Sequence, residues 1–510
     1  MLARILVVLS ILVGLLSCVK RERDTSEFHF RIIEDLGTID WNHGEVIPIV
    51  VQQIMEGLTL SGRWGEAKAG VAKGWRFDPK TNTYTFYLRE KVKWSDGVEV
   101  CAQHFRDGWL RTLSKEVASP YAHYMFGIKN AKAFFEGKKT ASEVSINAVN
   151  CKVLKVGLEN PVAYFPELVS HWIFYPARND LIEKFPQTWT EPKNLVVNGP
   201  YKISEWKRDS HIQFDFNPLY YGKAPHLKKL KALVVQEDVT ALNLFKTGVL
   251  DETKEVPLLY RDWAVKQPEY KSSDTFVVYF LGFNFKSDSK YAALSRDQRC
   301  ALAHSLEKSE IPRVLKGEET PAYSLVPSAM LDQRFSIERT RLKKVDLSKL
   351  NGLKVNYYSK SIHASLMEWV HSQWKKNLSL NVQLIRTDQK TYWSRLLSNP
   401  GLVYLTGITA NYAHPYTFLS QLHMNSPGNF GHFESEKYET LIREISKTSV
   451  KNQKRLIDLT EKAMRVLLDE ECAIVPLYFR KTATLLQKGW LGFSINPLTV
   501  VYLKDVYRLD

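Results

Sequence analysis

Residues Tyr84–Arg111 read YTFYLREKVKWSDGVEVCAQHFRDGWLR and place a strand, a turn and a helix start at close spacing. Tyr84, Phe86 and Leu88 are spaced by two residues, which is the pattern of a half-buried strand. The Asp96-Gly97 pair supplies turn chemistry before the helix. Together these patterns predict an α/β unit. Taken alone, such a unit is structural and implies no catalytic or binding chemistry.

The composition is that of a soluble globular protein with two or three domains. The chain has 510 residues, of which 44% are hydrophobic and 25% charged. Its formal net charge is +15, but the lysines are scattered and form no long basic block. Such a field favours contact with anionic lipid, acidic ligands or envelope polymers, and it argues against nucleic-acid binding, which needs a basic stripe with interleaved aromatic residues.

The N-terminus carries an export signal. Ile5–Leu16 is an apolar run behind Arg4, too short to span a bilayer and typical of a signal peptide. Leu15-Leu16-Ser17-Cys18 resembles a bacterial lipobox, so we expect Cys18 to be the lipidated first residue of the mature protein. An uncleaved anchor and a plain signal peptide are the alternatives.

Four further cysteines are far apart in sequence, and none has the spacing of a metal site. An exported chain can oxidise them in pairs, but the connectivity cannot be read from the sequence. We expect isolated buried thiols. The residues concerned are Cys101, Cys151, Cys300 and Cys472.

Motifs of enzymes are absent from the sequence. It contains no H-E-x-x-H, G-x-S-x-G, G-x-G-x-x-G, Walker A or EF-hand pattern. The thirteen histidines are dispersed and show no repeated ligand spacing. We therefore expect no catalytic activity, no metal ion and no cofactor.

Two long runs rich in β-branched and aromatic residues predict strands that cross between domains. They are Thr275–Phe285 and Ala473–Leu486, and they bracket some two hundred residues with helical periodicity. Within that region, Ser295 and Gln298 form a capping box before a helix. The pattern predicts a helix-rich second lobe between two crossings.

Several short segments resemble one known family. They are W-x-F-D-P at Trp75–Pro79, F-x-x-G-W at Phe105–Trp109, N-G-P-Y-K at Asn198–Lys202 and N-P-L-Y-Y at Asn217–Tyr221. In collinear order they resemble the family 5 solute-binding proteins of the oligopeptide, dipeptide and nickel ABC importers, above all the oligopeptide-binding members. The resemblance implies an α/β, two-lobed periplasmic-binding-protein fold (type II) with an extra domain inserted in the first lobe.

The resemblance and the pattern shifts together predict seven segments. In chain order they are a signal peptide at 1–17, a lipidated tether at 18–27, lobe I at 28–57, the inserted domain II at 58–185, lobe I again at 186–275, lobe II at 276–486 and lobe I at 487–510. By analogy, the two crossing strands form a hinge on which the lobes close over ligand.

The resemblance also implies where an extended peptide is held. Oligopeptide-binding members pair the peptide's α-ammonium with an Asp in a G-x-x-x-D-[YW] segment, and the matching run here is Gly407-Ile408-Thr409-Ala410-Asn411-Tyr412. Asn411 accepts a hydrogen bond but brings no negative charge to a buried ammonium. Three explanations stay open: an N-blocked or internally held peptide, a carboxylate supplied from elsewhere, and a ligand that is not a peptide. A simple polar replacement with weaker peptide binding is the remaining reading.

Other matched positions are partly kept and partly changed. His363 matches a histidine that meets the ligand's C-terminal carboxylate, and Tyr121 matches an aromatic residue of the inserted domain that lines the cleft. Arg480 replaces an aromatic residue and either places a cation in the cleft or points to solvent. The expected arginine, tryptophan and second tryptophan are replaced by Leu405, Ile408 and Gln389.

Three functions follow from these patterns. The first is a lipid-anchored, monomeric, extracytoplasmic protein that delivers oligopeptides to an ABC permease and its ATPase. The second is the same role for a modified peptide, an anionic metabolite or a metal complex, indicated by Asn411, Leu405 and Ile408. The third is an envelope interaction or sensory module on the same fold, for which the high positive charge is the one indication.

Overall fold

The computed structural model describes residues 26–43, 47–286, 293–333, 335 and 345–509. The predicted signal peptide, the lipidated Cys18 and nearly all of the tether lie outside these residues. Within them, no helix combines the length and the apolarity needed to cross a bilayer.

The first part of the chain forms one strand and helix of the first lobe and then a separate small domain. Four strands form the sheet of that domain in the order β4-β5-β7-β6, while β2 and β3 pair with each other. In the strand predicted from the sequence, Tyr84, Phe86 and Leu88 are buried, which confirms the alternation. The elements are β1 (Glu27–Ile32), α1 (Pro48–Ile54), β2 (Thr59–Ser61), β3 (Ala67–Ala69), β4 (Ala72–Asp78), β5 (Thr83–Leu88), α2 (Ala102–Thr112), α3 (Ala131–Phe135), β6 (Ile146–Asn150), β7 (Val153–Gly157), α4 (Phe165–Leu168) and α5 (Asn179–Lys184).

The chain then returns to the first lobe. There β1 pairs with β10 in parallel, and the sheet continues antiparallel in the order β1-β10-β9-β8. The elements of this part are β8 (Tyr201–Lys207), β9 (His211–Phe216), β10 (Lys229–Val234), α6 (Asp238–Lys246), β11 (Glu252–Lys254) and α7 (Arg261–Ala264).

A second lobe is built on a seven-stranded sheet. Its strands run in the order β11-β17-β12-β16-β14-β15, and β13 also pairs with β17. The elements are β12 (Tyr270–Phe283), α8 (Arg296–His304), α9 (Ile311–Leu315), β13 (Thr320–Pro321), α10 (Ser328–Leu331), β14 (Leu353–Tyr358), α11 (Ser361–Leu378), β15 (Val382–Thr387), α12 (Gln389–Ser398), β16 (Val403–Thr409), α13 (Tyr416–Leu419), α14 (Glu436–Lys447), α15 (Gln453–Arg465) and β17 (Ile474–Leu486). The chain ends on the small pair β18 (Trp490–Leu491) and β19 (Tyr507–Arg508).

The two predicted crossing strands lie side by side as β12 and β17. Tyr270–Asp274 of β12 pairs with residues 481–485 of β17, close to the end of β17 that also pairs with β11. After a register shift, the pairing of β12 with β17 resumes at Val278, opposite Phe479. At the shift, the Thr275 hydroxyl donates to the carbonyl oxygen of Arg480 at 2.6 Å. A bulge in a long strand pair bends it locally, so the bend falls between the part that faces β11 and the part that faces β16.

Apolar side chains pack on both faces of the second lobe's sheet. Along β12, Phe276, Val278 and Phe280 join one cluster, whereas Leu281 and Phe283 join another. The first lobe and the inserted domain share a third, larger cluster. The lobes therefore have separate cores joined by the crossing strands.

Both cysteine pairs are disulfides, so the expectation of isolated thiols was wrong. Cys101 is bonded to Cys151 and Cys300 to Cys472, with Cα atoms 4.3 and 5.2 Å apart. The partners are 50 and 172 residues apart in sequence, and folding alone brings them together. Among the described residues, the one grouping of possible metal ligands is Glu99 with Cys101 and Cys151, and the disulfide leaves it no thiolates.

Candidate functional site: a cavity between the lobes

A cavity of about 410 Å³ lies where the first lobe, the inserted domain and the second lobe meet. Helix α1 and the C-terminal segment provide one side, Ser170–Trp172 of the inserted domain another, and the ends of β11, β16 and β17 the third. The polar residues that line it include Gln52, Ser61, Ser170, His171, Lys254, Glu255, Thr409, Asn411, Arg480, Thr482 and Thr499. Ligand sites occur preferentially at such domain interfaces.

Arg480 lines this cavity and brings a cation to its wall. Its guanidinium donates to the Glu255 carboxylate across the gap between β17 and the end of β11. Burial lowers the pKa of Arg480, whereas the Glu255 carboxylate, Tyr279 and Tyr478 raise it, and the net shift of the pKa is upward. The pair fixes one charged wall of the cavity.

Asn411 lies at the junction of this cavity with a second one of about 240 Å³. Its backbone N–H donates to the Thr417 hydroxyl at 3.3 Å, which fixes the turn after β16. The second cavity is lined by Tyr124, Tyr164 and Leu168 of the inserted domain and by Tyr412 and Gln421 of the second lobe, among others. Asn411, which stands where the resemblance implies a carboxylate, therefore lines the space between the lobes.

The last residues of β16 have one free backbone edge. On one side Thr409 and Gly407 pair with Val277 and Tyr279 of β12. On the other side β14 pairs only with Val403 and Tyr404, so no strand of the described part of the chain covers the edge at Gly407–Thr409. Unpaired N–H and C=O groups at a sheet edge accept an additional extended strand.

Gly407 is required by the aromatic residue that faces it. A Cβ atom at this position would lie 2.9 Å from the ring of Tyr279, which is closer than packed atoms allow. Ile408, the next residue along the strand, points to the opposite face and packs in the second lobe's core. It does not line either cavity, and the structure gives no support to a wider pocket at this position.

Tyr412 connects the second lobe to the inserted domain. Its ring stacks on that of Tyr164 with centroids 4.4 Å apart and planes 3° apart. Tyr164 also lies against Tyr416 and His414, at 5.3 and 5.2 Å. One backbone bond accompanies these contacts, from Ala163 N–H to the Ser446 carbonyl at 3.2 Å. These contacts hold the two parts together beside Asn411.

His363 has no exposed surface and lines neither cavity. Its ring packs against Tyr358 and Tyr279, at 4.2 and 5.0 Å between centroids, and the hydroxyls of these tyrosines are 3.2 Å apart. Neither ring nitrogen has a partner at hydrogen-bonding geometry among the described residues. Burial lowers the pKa of His363 to about 3, so the ring is neutral at physiological pH.

Tyr121 is partly exposed but lines neither cavity. It packs edge-on against Trp172 with centroids 4.8 Å apart, and Trp172 is the aromatic residue that lines the cavity. Of the predicted residues, the structure thus brings Thr409, Asn411 and Arg480 into one cavity and Tyr412 into the next. Tyr121, His363, Gly407 and Ile408 line neither cavity.

Sequence reasoning missed four residues of the site: Lys254, Glu255, Trp172 and Tyr164. Lys254 ends the short strand β11 and Glu255 follows it, and no sequence motif marks either residue. Trp172 and Tyr164 carried no motif. A buried aromatic residue of the core and one that lines a cleft are indistinguishable in a sequence.

A cavity between two lobes that are joined by paired strands is a common location for a ligand site. Comparison with known proteins agrees. Residues 66–430 match the bacterial extracellular solute-binding proteins, family 5 Middle. The periplasmic oligopeptide-binding protein OppA of Salmonella typhimurium is 30% identical over 483 residues, which cover 90% of this chain and 88% of OppA.

The periplasmic murein peptide-binding protein MppA of Escherichia coli is 28% identical over 487 residues, which cover 90% of this chain and 88% of MppA. The solved unliganded open form of MppA has a TM-score of 0.81 at 25% identity and covers 95% of this chain and 98% of MppA. The chain therefore belongs to the bacterial extracellular solute-binding proteins of family 5. The predicted family and the predicted α/β, two-lobed fold are confirmed.

Proposed function

We propose that this protein captures extended oligopeptides between its two lobes and delivers them to an ABC permease and its ATPase, without catalysis. The observation that carries this proposal is the unpaired edge of β16 at Gly407–Thr409, which lies beside the interlobe cavity. A ligand gripped there through its backbone is recognised independently of most of its side chains. The peptide-binding relatives OppA and MppA support the same ligand class.

Closure of the lobes would follow from the bend in the crossing strands. In this proposal the register shift near Thr275 is the hinge, and Tyr164 against Tyr412 is a contact that closure forms or keeps. We also propose that the lobes and the inserted domain begin and end at the residues predicted from the sequence. His363 and Tyr121 then act through the tyrosines and the tryptophan that cover them, and His363 meets a ligand carboxylate only after Tyr279 and Tyr358 separate.

We further propose that the mature protein is a monomer held at the membrane by lipid on Cys18, on the extracytoplasmic side. The family assignment supports an extracytoplasmic location. The two disulfides support it independently, because disulfides persist in oxidising compartments.

Mass spectrometry of the molecules released on denaturation tests the ligand class. Protein purified from the cell envelope is expected to release a mixture of short peptides. The control is the same protein after one cycle of unfolding and refolding in clean buffer, which should release none. A single non-peptide species in place of peptides would overturn the proposal.

A second candidate is the same role for a modified peptide or a non-peptide ligand. Asn411 favours it, because this side chain faces the cavities and cannot neutralise a free α-ammonium. The same mass spectrometry separates the candidates, since N-blocked peptides and non-peptide solutes differ in mass and fragmentation.

A further inference from the structure

Three charged side chains are found among the described residues that line the cavity. They are Lys254, Glu255 and Arg480, two cations and one carboxylate. His171 also lines the cavity, but burial lowers the pKa of its ring to about 3, so it is neutral. Asn411 is neutral at the position where the family places a carboxylate. The described wall therefore carries an excess of positive charge.

Lys254 is the least satisfied of these groups. Its ammonium makes no hydrogen bond and no ion pair with any described residue, and its charged neighbours are Glu252 and Glu255. Burial lowers the pKa of Lys254, against the attraction of both carboxylates. A partly desolvated ammonium without a hydrogen-bond acceptor is costly, and an anion that enters the cavity removes that cost.

Neither neighbouring carboxyl is available to Lys254. Glu252 is fully buried, one of its oxygens has no partner, and burial raises the pKa of its carboxyl. Its other oxygen accepts from the Arg31 backbone N–H at 3.1 Å. Glu255 is held by the Arg480 guanidinium. The remaining donors of Arg480 have no hydrogen-bond partner among the described residues.

We propose that the cavity binds a carboxylate of the ligand between Lys254 and Arg480. The ligand class is an acidic one, and the carboxylate is either an acidic side chain or the ligand's own terminal carboxylate. Arg480 offers planar N–H donors and Lys254 a point charge, which together suit a carboxylate. This inference rests on the proposed function. It adds that the protein selects ligands that carry a negatively charged group at this cavity.

Calorimetry with matched tripeptides tests the proposal and separates the two sources. All are N-acetylated: one has glutamate first and an amidated C-terminus, one has glutamine first and an amidated C-terminus, and one has glutamine first and a free C-terminus. Ligand-stripped wild-type protein is expected to bind at least one carboxylate-bearing probe about 10- to 100-fold more tightly than the uncharged one. The probe that gains identifies the source.

Variants of the cavity residues test whether these residues cause the preference for a carboxylate-bearing probe. Lys254→Gln is expected to remove it and Lys254→Arg to keep it. Glu255→Gln releases Arg480 and is expected to strengthen binding of the carboxylate probe by about 10-fold, a gain that a misfolded variant cannot produce. Lys481→Gln is the control, because Lys481 is adjacent to Arg480 but pairs with Asp274 and does not line the cavity.

Equal binding of all three probes by the wild type would overturn the anion site while leaving peptide capture in place. An unchanged preference in Lys254→Gln, or a loss in Glu255→Gln, would also overturn it. If no peptide binds and none is released on denaturation, the proposed function itself fails.

Discussion

Two regions differ in whether their polar side chains have hydrogen-bond partners within the chain. They are the region of helix α2 in the inserted domain and the wall of the interlobe cavity. In the first region, Trp109 Nε1 donates to the Phe174 carbonyl at 2.7 Å, and the Arg111 guanidinium binds both oxygens of Asp40 at 3.0 and 2.5 Å. In the second, Lys254 and the remaining donors of Arg480 have no hydrogen-bond partner among the described residues. Groups paired within the chain stabilise the fold, whereas unpaired groups at the cavity remain for a ligand.

The largest effect should come from breaking the paired region. Trp109→Ala removes a fully buried indole and its hydrogen bond, so we expect the free energy of unfolding to fall by about 3–5 kcal/mol. Denaturant unfolding followed by circular dichroism measures it. Tyr87→Ala, on the exposed face of β5, is the control and should change the value by about 0.5 kcal/mol. Similar losses in both variants would contradict the assigned role of Trp109.

The disulfides extend the comparison to the second lobe. Replacing either pair by serine should lower the free energy of unfolding by about 2–4 kcal/mol. The Cys300–Cys472 loop is longer, 172 against 50 residues, so its loss should cost about 1 kcal/mol more. Urea unfolding of the two double variants measures the difference. A larger loss for Cys101–Cys151 would show that loop entropy does not control the order.

The buried ring of His363 should make the free energy of unfolding depend on pH. Burial lowers its pKa to about 3 in the folded protein, while an unfolded histidine titrates near about 6.5. Its neutral form therefore contributes stability above about pH 6.5, and this is lost as pH falls towards 3, by up to about 1.4 kcal/mol per pH unit. His363→Phe should flatten the dependence of unfolding free energy on pH in that window.

The slope should not vanish, because burial also lowers the pKa of His171 to about 3 and of His414 to about 4. His371→Phe, a partly exposed position on the same helix, is the matched control. An unchanged slope in His363→Phe would show that the ring is accessible to protons in the folded protein.

Asn411→Asp tests whether the residue at position 411 controls the affinity for peptides with a free α-amine. A carboxylate here should strengthen binding of peptides with a free α-amine by about 10-fold and weaken binding of acidic, N-acetylated peptides. Calorimetry with the same peptide, free and acetylated, measures both changes. If the free-amine peptide gains nothing, this position does not face the ligand amine.

The smallest effect concerns the contact between the inserted domain and the second lobe. Tyr164→Leu removes the stack on Tyr412, which is worth about 0.5–1.5 kcal/mol, so the balance between open and closed forms should shift about 2- to 10-fold towards open. Fluorescence transfer between labels on the two lobes measures the shift. Tyr323→Leu, on the exposed surface of the second lobe, is the control and should leave the balance unchanged.

The scaffold was readable from the sequence because its signals are local. The alternation at Tyr84–Leu88 and the capping box at Ser295 depend on residues two or three positions apart, and both are present in the structure. The cavity was readable only in part. Asn411 and Arg480 were found through a family match, whereas Lys254 and Trp172 were not, because their exposure to the cavity depends on how distant segments pack.

The sequence by itself determined the family, the α/β class and the two long strands, and it has an asparagine at position 411, where the family resemblance implies a carboxylate. The tertiary structure alone decided the disulfide pairing, the burial of His363 beneath two tyrosines and the meeting of Lys254 with Arg480 at one cavity. The physical reason is distance along the chain. Periodicity and capping act over a few residues, but a binding wall gathers side chains hundreds of residues apart, and its charge is defined only after they meet.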